Sequence, residues 1–191
     1  MKELADKLIT NYIYLYHTDE WLLIPVYPDQ VADTMETTFN RTNALSRSAP
    51  TFTYSNSGPR TVQINLTLHR DMMDEVNYGA SNLKIEIGDD YIDTLIKRLQ
   101  SISLPNYRAT SKSVVPPMIA VRFGDEIFIK GIVQGNVTVT RKKPLIGDDD
   151  KYALFDVAFV VTEVDPYDAD TVAQQGSFRG LTRTFQDGIF E

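Results

Sequence analysis

Residue types that commonly carry catalysis are scarce in this sequence. It contains two histidines, His17 and His69, and no cysteine. Disulfides, thiolate zinc sites and cysteine nucleophiles are therefore excluded. The sequence has neither the G-x-S-x-G elbow of hydrolases nor the H-E-x-x-H helix of zinc proteases. His69 falls on the polar side of an alternating segment, so we interpret it as a surface or interface residue and not as a catalytic base.

Acidic residues are concentrated in two short runs, at positions 148–150 and 163–170. The first run has the charge to collect a calcium ion, but it lacks the glycine and the terminal glutamate of an EF-hand loop. The glycines occur singly at expected turns, so the sequence contains no glycine-rich loop for a phosphate. We therefore predict solvated acidic loops, no metal, no cofactor and no enzymatic activity.

The amino-acid composition favours a globular protein that does not bind nucleic acid. The chain has 191 residues, an apolar fraction of 42% and a formal net charge of −7. A nucleic-acid binder normally carries a basic surface, because neutralised phosphates supply most of the affinity. The sequence also has no apolar run of about 18 residues and no signal-peptide pattern, so we expect no membrane contact.

Two segments show the alternation of a half-buried antiparallel strand. Apolar residues occupy every second position from Val62 to Leu68, and again from Ala153 to Val161. The second segment, residues 152–163, is the longest predicted strand, and we place it centrally in a sheet.

One helix is predicted over residues 89–103. Asp89 and Asp90 precede it, and their side-chain oxygens would cap its free N–H groups. Its apolar residues recur at helical spacing and form one face. We expect this face to share a core with the two alternating strands, made of Val62, Ile64, Leu66, Ile92, Leu95, Leu99, Phe155, Val157 and Phe159.

A polar region over residues 29–58 predicts an extended hairpin exposed on both faces. It is rich in threonine, serine and asparagine with isolated apolar residues, and we expect a turn at 57–59. Such a hairpin is marginal alone, which suggests pairing with a neighbouring subunit. The predicted inter-subunit contacts are Met35, Thr38, Phe39, Arg41 and Tyr54.

Both ends of the chain are less regular. Residues 2–16 fit a helix by the spacing of Leu4, Leu8 and Leu15, and they fit a strand by the run of alternating tyrosines, so both interpretations remain open. Residues 168–191 are polar with scattered apolar anchors, which suggests a docking arm. The anchors of this arm are Phe178, Leu181, Phe185 and Phe190.

Ten tyrosines and one tryptophan raise an alternative function. Aromatic surfaces stack on sugars, so a carbohydrate-binding β-sandwich module of a tail or cell-wall-associated assembly fits the composition. Tyr12, Tyr14 and Tyr16 lie on one face of the possible first strand. Such stripes are more often packing or interface residues, because aromatic side chains are enriched where proteins associate.

The order of these elements resembles a known family. The segment SNSGPRTVQINLTLHRDM, then a helix, then the segment from PPMIAVRFGDEIFIKG to VVTEVDP are similar to the tube-like domain of contractile phage tails and injection systems. The resemblance covers residues 21–166. Three strands carry the resemblance. The first begins with two prolines and ends with an aromatic residue and a glycine, the second returns with an internal glycine, and the third is the long last strand. The matching positions are Pro116, Pro117, Phe123, Gly124, Gly131, Phe155 and Glu163.

This resemblance implies a fold and a function. The implied fold is mainly β with one principal helix (α+β), a tail-tube-like β-sandwich or barrel with an extended hairpin. Residues 1–19 would be an N-terminal segment, 20–167 the tube-like domain and 168–191 the docking arm. The implied function is that of a structural subunit of a contractile phage-type tail or baseplate. Six copies would form a ring that connects the central hub to the tail tube and lines the DNA channel.

Partners and location follow from the same resemblance. The implied partners are further copies of the chain, the tail tube protein, and baseplate hub and wedge proteins. DNA would pass without specific binding. The implied location is the virion tail, after synthesis in the host bacterial cytoplasm. Because the chain is acidic, we expect a predominantly acidic channel surface that does not hold phosphate.

Overall fold

The computed structural model describes residues 11–43, 45, 48–74, 83, 85, 90–104, 117–124, 126–147 and 150–164. The strands in this part of the chain are β1 (Asn11–Leu15), β2 (Glu20–Leu23), β3 (Gln30–Thr34), β4 (Thr37–Thr42), β5 (Thr51–Ser57), β6 (Thr61–His69), β7 (Met118–Phe123), β8 (Ile127–Val133), β9 (Thr138–Ile146) and β10 (Lys151–Glu163). The helices are α1 (Arg70–Asp74) and α2 (Tyr91–Ser101). Neither of these two helices has the length and apolar character to cross a membrane.

One antiparallel sheet organises the described residues. Eight strands belong to it, in the order β2-β1-β7-β8-β10-β6-β3, with β9 also paired to β10. Strands β4 and β5 form a separate two-stranded sheet. The prediction of a mainly β fold with one principal helix is confirmed, and α1 adds a single short turn of helix after β6.

Strand β10 lies at the centre of the sheet, as its length and apolar face predict. It pairs with β6 along one side, from Leu154 to Thr162. Along its other side β9 pairs with its first half and β8 with its last three positions. Gly131 of β8 lies opposite Glu163, and a Cβ there would come within 2.0 Å of the Thr162 carbonyl oxygen. Glycine at this position is therefore what lets the two backbones approach.

The inward side chains of β6 and β10 form the predicted core. Alternation places one side of each strand in the core and the other side away from it. Every residue of the predicted core is buried in one cluster, which also takes in apolar residues of β1, β2, β7 and β8. Removal of this apolar surface from water, at roughly 25 cal/mol per Å², is the main favourable contribution to folding.

Helix α2 begins and ends inside the predicted range 89–103. Asp90 is its N-cap residue but makes no side-chain capping hydrogen bond. Its carboxylate binds Arg70 and Lys151 instead. The predicted N-cap position at Asp90 is therefore confirmed, whereas the predicted side-chain bond to a free N–H is wrong, because two charge-assisted contacts replace it.

Residues 11–15 form strand β1, which decides between the helix and the strand interpretation for this part of the segment 2–16. It lies between β2 and β7, and its Ile13 and Leu15 belong to the main core. Strand β1 is thus integral to the sheet, while the expected division between an N-terminal segment, 1–19, and the domain stays a prediction. Neighbouring strands supply its hydrogen bonds, which favours the period-two interpretation over the helical one. Residues 1–10 lie outside the described part.

The region 29–58 divides between the sheet and a projection. Strand β3 is the last strand of the sheet and pairs with β6, whereas β4 and β5 pair with each other. The chain therefore forms one long hairpin whose base lies in the sheet. The predicted turn at 57–59 is wrong, because these residues join β5 to β6 without reversing the chain. The Gly58 N–H donates to the Glu36 carbonyl at 2.7 Å, so the two strands leave the sheet side by side.

Candidate assembly interface

The projecting hairpin, which we define as strands β4 and β5, lies outside the hydrophobic core. Every residue of both strands is exposed. The register pairs Phe39 with Tyr54 and Arg41 with Phe52, and an irregularity follows Thr38. Two-stranded hairpins are at best marginally stable in water. This segment therefore has the features of a structure that is completed by a partner.

One face of the projecting hairpin, which we call the aromatic face, carries all of its large apolar side chains. Residues directly opposite each other share a face, as do residues two apart on a strand, so Phe39, Arg41, Phe52 and Tyr54 lie together. The Phe39 and Tyr54 rings pack edge to face with centroids 5.7 Å apart. The Tyr54 hydroxyl shares a hydrogen bond of 2.5 Å with Ser57 Oγ. The face is thus apolar, partly ordered and flanked by one guanidinium.

The exposed area of these rings determines how much free energy a partner gains by covering them. Phe39, Phe52 and Tyr54 are 55%, 63% and 55% exposed. Since a packed aromatic side chain buries about 150–250 Å², covering the exposed half of three rings removes roughly 300 Å² from water. At about 25 cal/mol per Å² this is roughly 7 kcal/mol. Association costs about 4–15 kcal/mol in lost freedom, so the aromatic face needs a second contact to hold a complex.

The opposite face of the projecting hairpin carries only hydroxyl and amide side chains. It consists of Thr38, Asn40, Thr42, Thr51, Thr53 and Asn56. Of the predicted contact residues, Phe39, Arg41 and Tyr54 share the aromatic face, whereas Thr38 lies on this opposite face and Met35 precedes β4. The hairpin is exposed on both sides, as predicted, but its two faces differ in chemistry.

Phe52 belongs to the aromatic face although it was not among the predicted contacts. The signal was present in the sequence, because Phe52 and Tyr54 are two residues apart and alternate with threonine and serine. What the sequence does not give is the register that sets Phe52 opposite Arg41. The predicted docking-arm residues Phe178, Leu181, Phe185 and Phe190 lie outside the described residues.

A second surface, which we call the polar face, is the side of the sheet turned away from the core across β3, β6, β9 and β10. It consists of Gln30, Ala32, Thr34, Thr61, Gln63, Asn65, Thr67, His69, Thr138, Thr140, Lys142, Leu154, Asp156, Ala158, Val160 and Thr162. Among these side chains only Asp156 and Lys142 carry a permanent charge, and they form an ion pair. Since surfaces of small domains are commonly about 25–35% charged, this face is unusually neutral. The expected predominantly acidic surface is therefore not found on it.

A buried ion network ties α2 to β10. The Arg70 guanidinium is 5% exposed; it binds Asp93 at 3.1 Å, also binds Asp90, and donates to the Tyr152 carbonyl at 3.0 Å. Burial by itself would raise the pKa of Asp93, but hydrogen bonding to Arg70 and the charges of Arg70 and Lys151 outweigh it and lower that pKa. Burial lowers the pKa of Arg70, and its two aspartate partners reverse the effect. These groups neutralise one another, so the network is a structural tie.

The tyrosines of β1 pack against the sheet and do not form an open platform. Tyr12 and Tyr14 are 1% and 4% exposed, and both rings lie against Trp21, with centroids 5.0 and 4.4 Å away. Burial, together with a hydrogen bond to Asp19, raises the pKa of Tyr14 to about 12. Covered rings offer little surface to a sugar, so the packing interpretation of this stripe is confirmed for these two residues.

The histidine considered as a possible catalytic base, His69, lies at the end of β6 next to an aspartate. His69 is 39% exposed, and its Nδ1 lies 3.8 Å from the Asp71 carboxylate. Within the described ranges no group of three or more histidine, aspartate or glutamate side chains is placed to hold a metal ion. The absence of enzymatic activity stays a prediction.

Comparison of the sequence with models of protein families and with curated proteins finds no match. A function must therefore be inferred from the projecting hairpin, the ends of the sheet and the polar face.

Proposed function

We propose that this protein is a structural, non-enzymatic subunit of a contractile phage-type tail or baseplate that assembles with copies of itself into a ring. The observation that carries the proposal is the aromatic face, where Phe39, Phe52 and Tyr54 remain exposed on a hairpin that has no core of its own. Exposed apolar patches on proteins in water mark interaction sites. A neighbouring copy supplies the burial that the described part of the chain does not.

The two ends of the sheet supply the second contact that the energy estimate requires. In the described part of the chain β2 pairs only with β1, and β3 only with β6, so each end of the sheet carries an unpaired strand edge, as does β9, which pairs only with β10. Such edges are templates for strands of another chain. Because the two edges differ, contact between them is heterologous, and repeated heterologous contacts close into a ring or extend as a filament.

The resemblance to the tube-like domain favours a closed, hexameric ring between the central hub and the tail tube. In such a ring the polar face lines the channel, since the core and α2 occupy the other side of the sheet. The side chains of this lining are mostly uncharged, and its one lysine is paired with an aspartate, so the lining has no excess of positive charge to neutralise phosphates and DNA passes without electrostatic trapping. This lining replaces the acidic one that the net charge suggested.

Serine substitutions on the two faces of the projecting hairpin test the proposal. The double variant Phe39→Ser, Phe52→Ser removes two rings of the aromatic face. The double variant Thr42→Ser, Thr53→Ser is its matched control on the opposite face. Each chain is purified and examined by sedimentation velocity and electron microscopy, alone and with its neighbouring tail proteins. We expect rings from the wild type and the control, and monomers from the aromatic variant.

Each outcome of this experiment has a definite meaning. A wild-type chain that stays monomeric in both settings contradicts the ring. Equal ring formation by the two double variants excludes the aromatic face as its contact. Thermal unfolding of the isolated chains shows whether the fold is intact, and we expect similar midpoints because the substituted side chains are exposed.

A further inference from the structure

The base of the projecting hairpin is fixed by one buried arginine. Arg60 lies between β5 and β6 and is 7% exposed. Its Nε and Nη2 donate to the Asp33 carboxylate of β3 at 3.0 and 2.7 Å. Its Nη1 lies 3.4 Å from Glu163 Oε2 of β10 and 3.5 Å from the Phe128 carbonyl of β8. One guanidinium thus connects three strands where the hairpin leaves the sheet.

The backbone around Arg60 strengthens this arrangement. The Glu163 N–H donates to the Arg60 carbonyl at 2.9 Å, so the arginine is held to the end of β10 by main chain and side chain together. Glu163 is itself only 8% exposed. A buried carboxylate needs a cationic partner, because desolvation of an unpaired charge costs several kcal/mol. Arg60 and Glu163 therefore depend on each other, while Asp33 extends the pair toward solvent.

Every residue of the projecting hairpin is exposed, and within the described part of the chain its two strands pair only with each other. Asp33 is the fourth residue before β4, and Arg60 is the third residue after β5. A Cβ on Gly58 would lie 3.1 Å from the Glu36 Cβ, so the two connecting segments run in close contact. The direction of the hairpin is consequently set at its base, where both of its strands are tied to the sheet.

We propose that Arg60 is a positioning residue that sets the direction of the projecting hairpin and so presents the aromatic face for assembly. The inference rests on the proposed function. A planar guanidinium binds a carboxylate through two parallel N–H groups while a third reaches elsewhere, and this fork has a defined orientation. A lysine ammonium in its place supplies charge without that orientation. Loss of the fork would leave the hairpin formed but free to point in several directions, most of which do not meet a neighbouring copy.

The absence of cysteine makes a direct measurement of direction simple. Spin labels are attached at Thr42→Cys on β4 and Gln100→Cys on α2, both exposed in the structure. The distance distribution between the labels is recorded by pulsed electron paramagnetic resonance on the isolated chain. Arg60→Met, Arg60→Lys and Asp33→Asn are compared with the unsubstituted pair. Arg70→Met serves as the matched control, because it removes a buried arginine from the network that binds Asp93.

We expect Arg60→Met to broaden the distance distribution and to weaken assembly by about tenfold or more, the equivalent of one or more charge-assisted hydrogen bonds. Arg60→Lys should restore assembly only in part. Arg70→Met should lower thermal stability and leave the distribution narrow. If Arg60→Met does not fold, Asp33→Asn decides, because Asp33 is half exposed and its substitution leaves the core intact.

Two results would overturn the inference. One is a distribution that stays as narrow in Arg60→Met, or in Asp33→Asn, as in the unsubstituted pair. The other is unchanged assembly despite a broadened distribution. In both cases the proposed function survives as long as the Phe39→Ser, Phe52→Ser variant loses ring formation. If that variant assembles normally, the failure belongs to the proposed function instead.

Discussion

The β6–β10 pair and the projecting hairpin are both antiparallel ladders that carry most of their large apolar side chains on one face. The inward side chains of β6 and β10 are buried in one cluster, to which α2 also contributes. In β4 and β5 the corresponding side chains are exposed. The same arrangement therefore produces a core in one place and an open surface in the other, and the difference lies in what covers each ladder.

Alternation of apolar and polar residues identifies a strand, but it does not determine whether the same chain or a partner covers the apolar face. A face that is buried within the chain stabilises the folded monomer. An exposed aromatic face contributes stability only when a second surface covers it. The comparison can be tested by substitutions of matched chemistry in the two ladders.

The largest expected effect is in the core. Phe159→Ala should lower the free energy of unfolding by about 3–5 kcal/mol, because it leaves a cavity in the main hydrophobic cluster. Phe52→Ala in the projecting hairpin should change it by less than about 1 kcal/mol in the isolated chain. Chemical denaturation of both variants gives the two values. A loss below about 1 kcal/mol for Phe159→Ala would show that this face of β10 is not buried.

Gly131 offers the next comparison, between a crowded glycine and an open one. Gly131→Ala should cost about 2–3 kcal/mol, since the new methyl group meets the Thr162 carbonyl and pushes β8 from β10. Gly135→Ala is the control: it has open space but a positive φ of 81°, and should cost about 1 kcal/mol. Denaturation midpoints measure both. Because Gly131 has no positive φ, a cost no larger than that of Gly135→Ala would show that the close approach of the two strands does not crowd this position.

Much of the fold was predictable, because its strongest signals are local. Val62 to Leu68 and Ala153 to Val161 alternate so regularly that strand, face and core membership follow from the sequence. The ion pairs that replace the capping bond of Asp90 were not predictable in the same way, since the partners Arg70 and Lys151 are distant in the sequence. The turn expected at 57–59 failed for a similar reason: glycine and proline indicate a break in the ladder, but not whether the chain reverses there.

The candidate site was predictable in part. The polar composition of residues 29–58 indicated an exposed hairpin, and Phe39, Arg41 and Tyr54 were selected from it. Assigning them to one face with Phe52, and Thr38 to the other, requires the cross-strand register. Arg60 gave no sequence signal at all, because its role depends on Asp33 and Glu163 meeting at one point in space.

Acidification should remove the stability that the ion pair between Asp93 and Arg70 contributes, while the hydrophobic core is unaffected. Because the pKa of Asp93 is lowered from 3.8, its contribution to stability is present above about pH 4 and is lost as the pH falls through the lower folded value. Asp93→Asn should cost about 1–2 kcal/mol at pH 7. Its deficit should shrink as both proteins are acidified. Urea midpoints between pH 7 and pH 2.5 measure this, and parallel curves for the two proteins would contradict the assigned ion pair.

The smallest effect on the fold, and the sharpest on function, is expected on the polar face. Gln63→Lys places a cation among uncharged side chains at an exposed position of β6, and Gln100→Lys places one on the exposed side of α2. Both should change stability by less than about 0.5 kcal/mol, since neither disturbs the core. If the polar face lines a channel, assembled Gln63→Lys should retain DNA that is protected from nuclease and released by salt, because each copy adds a phosphate contact inside the ring. Assembled Gln100→Lys should bind DNA only where nuclease reaches it. Equal protection by the two variants would show that the polar face is not the lining, even if the ring itself forms.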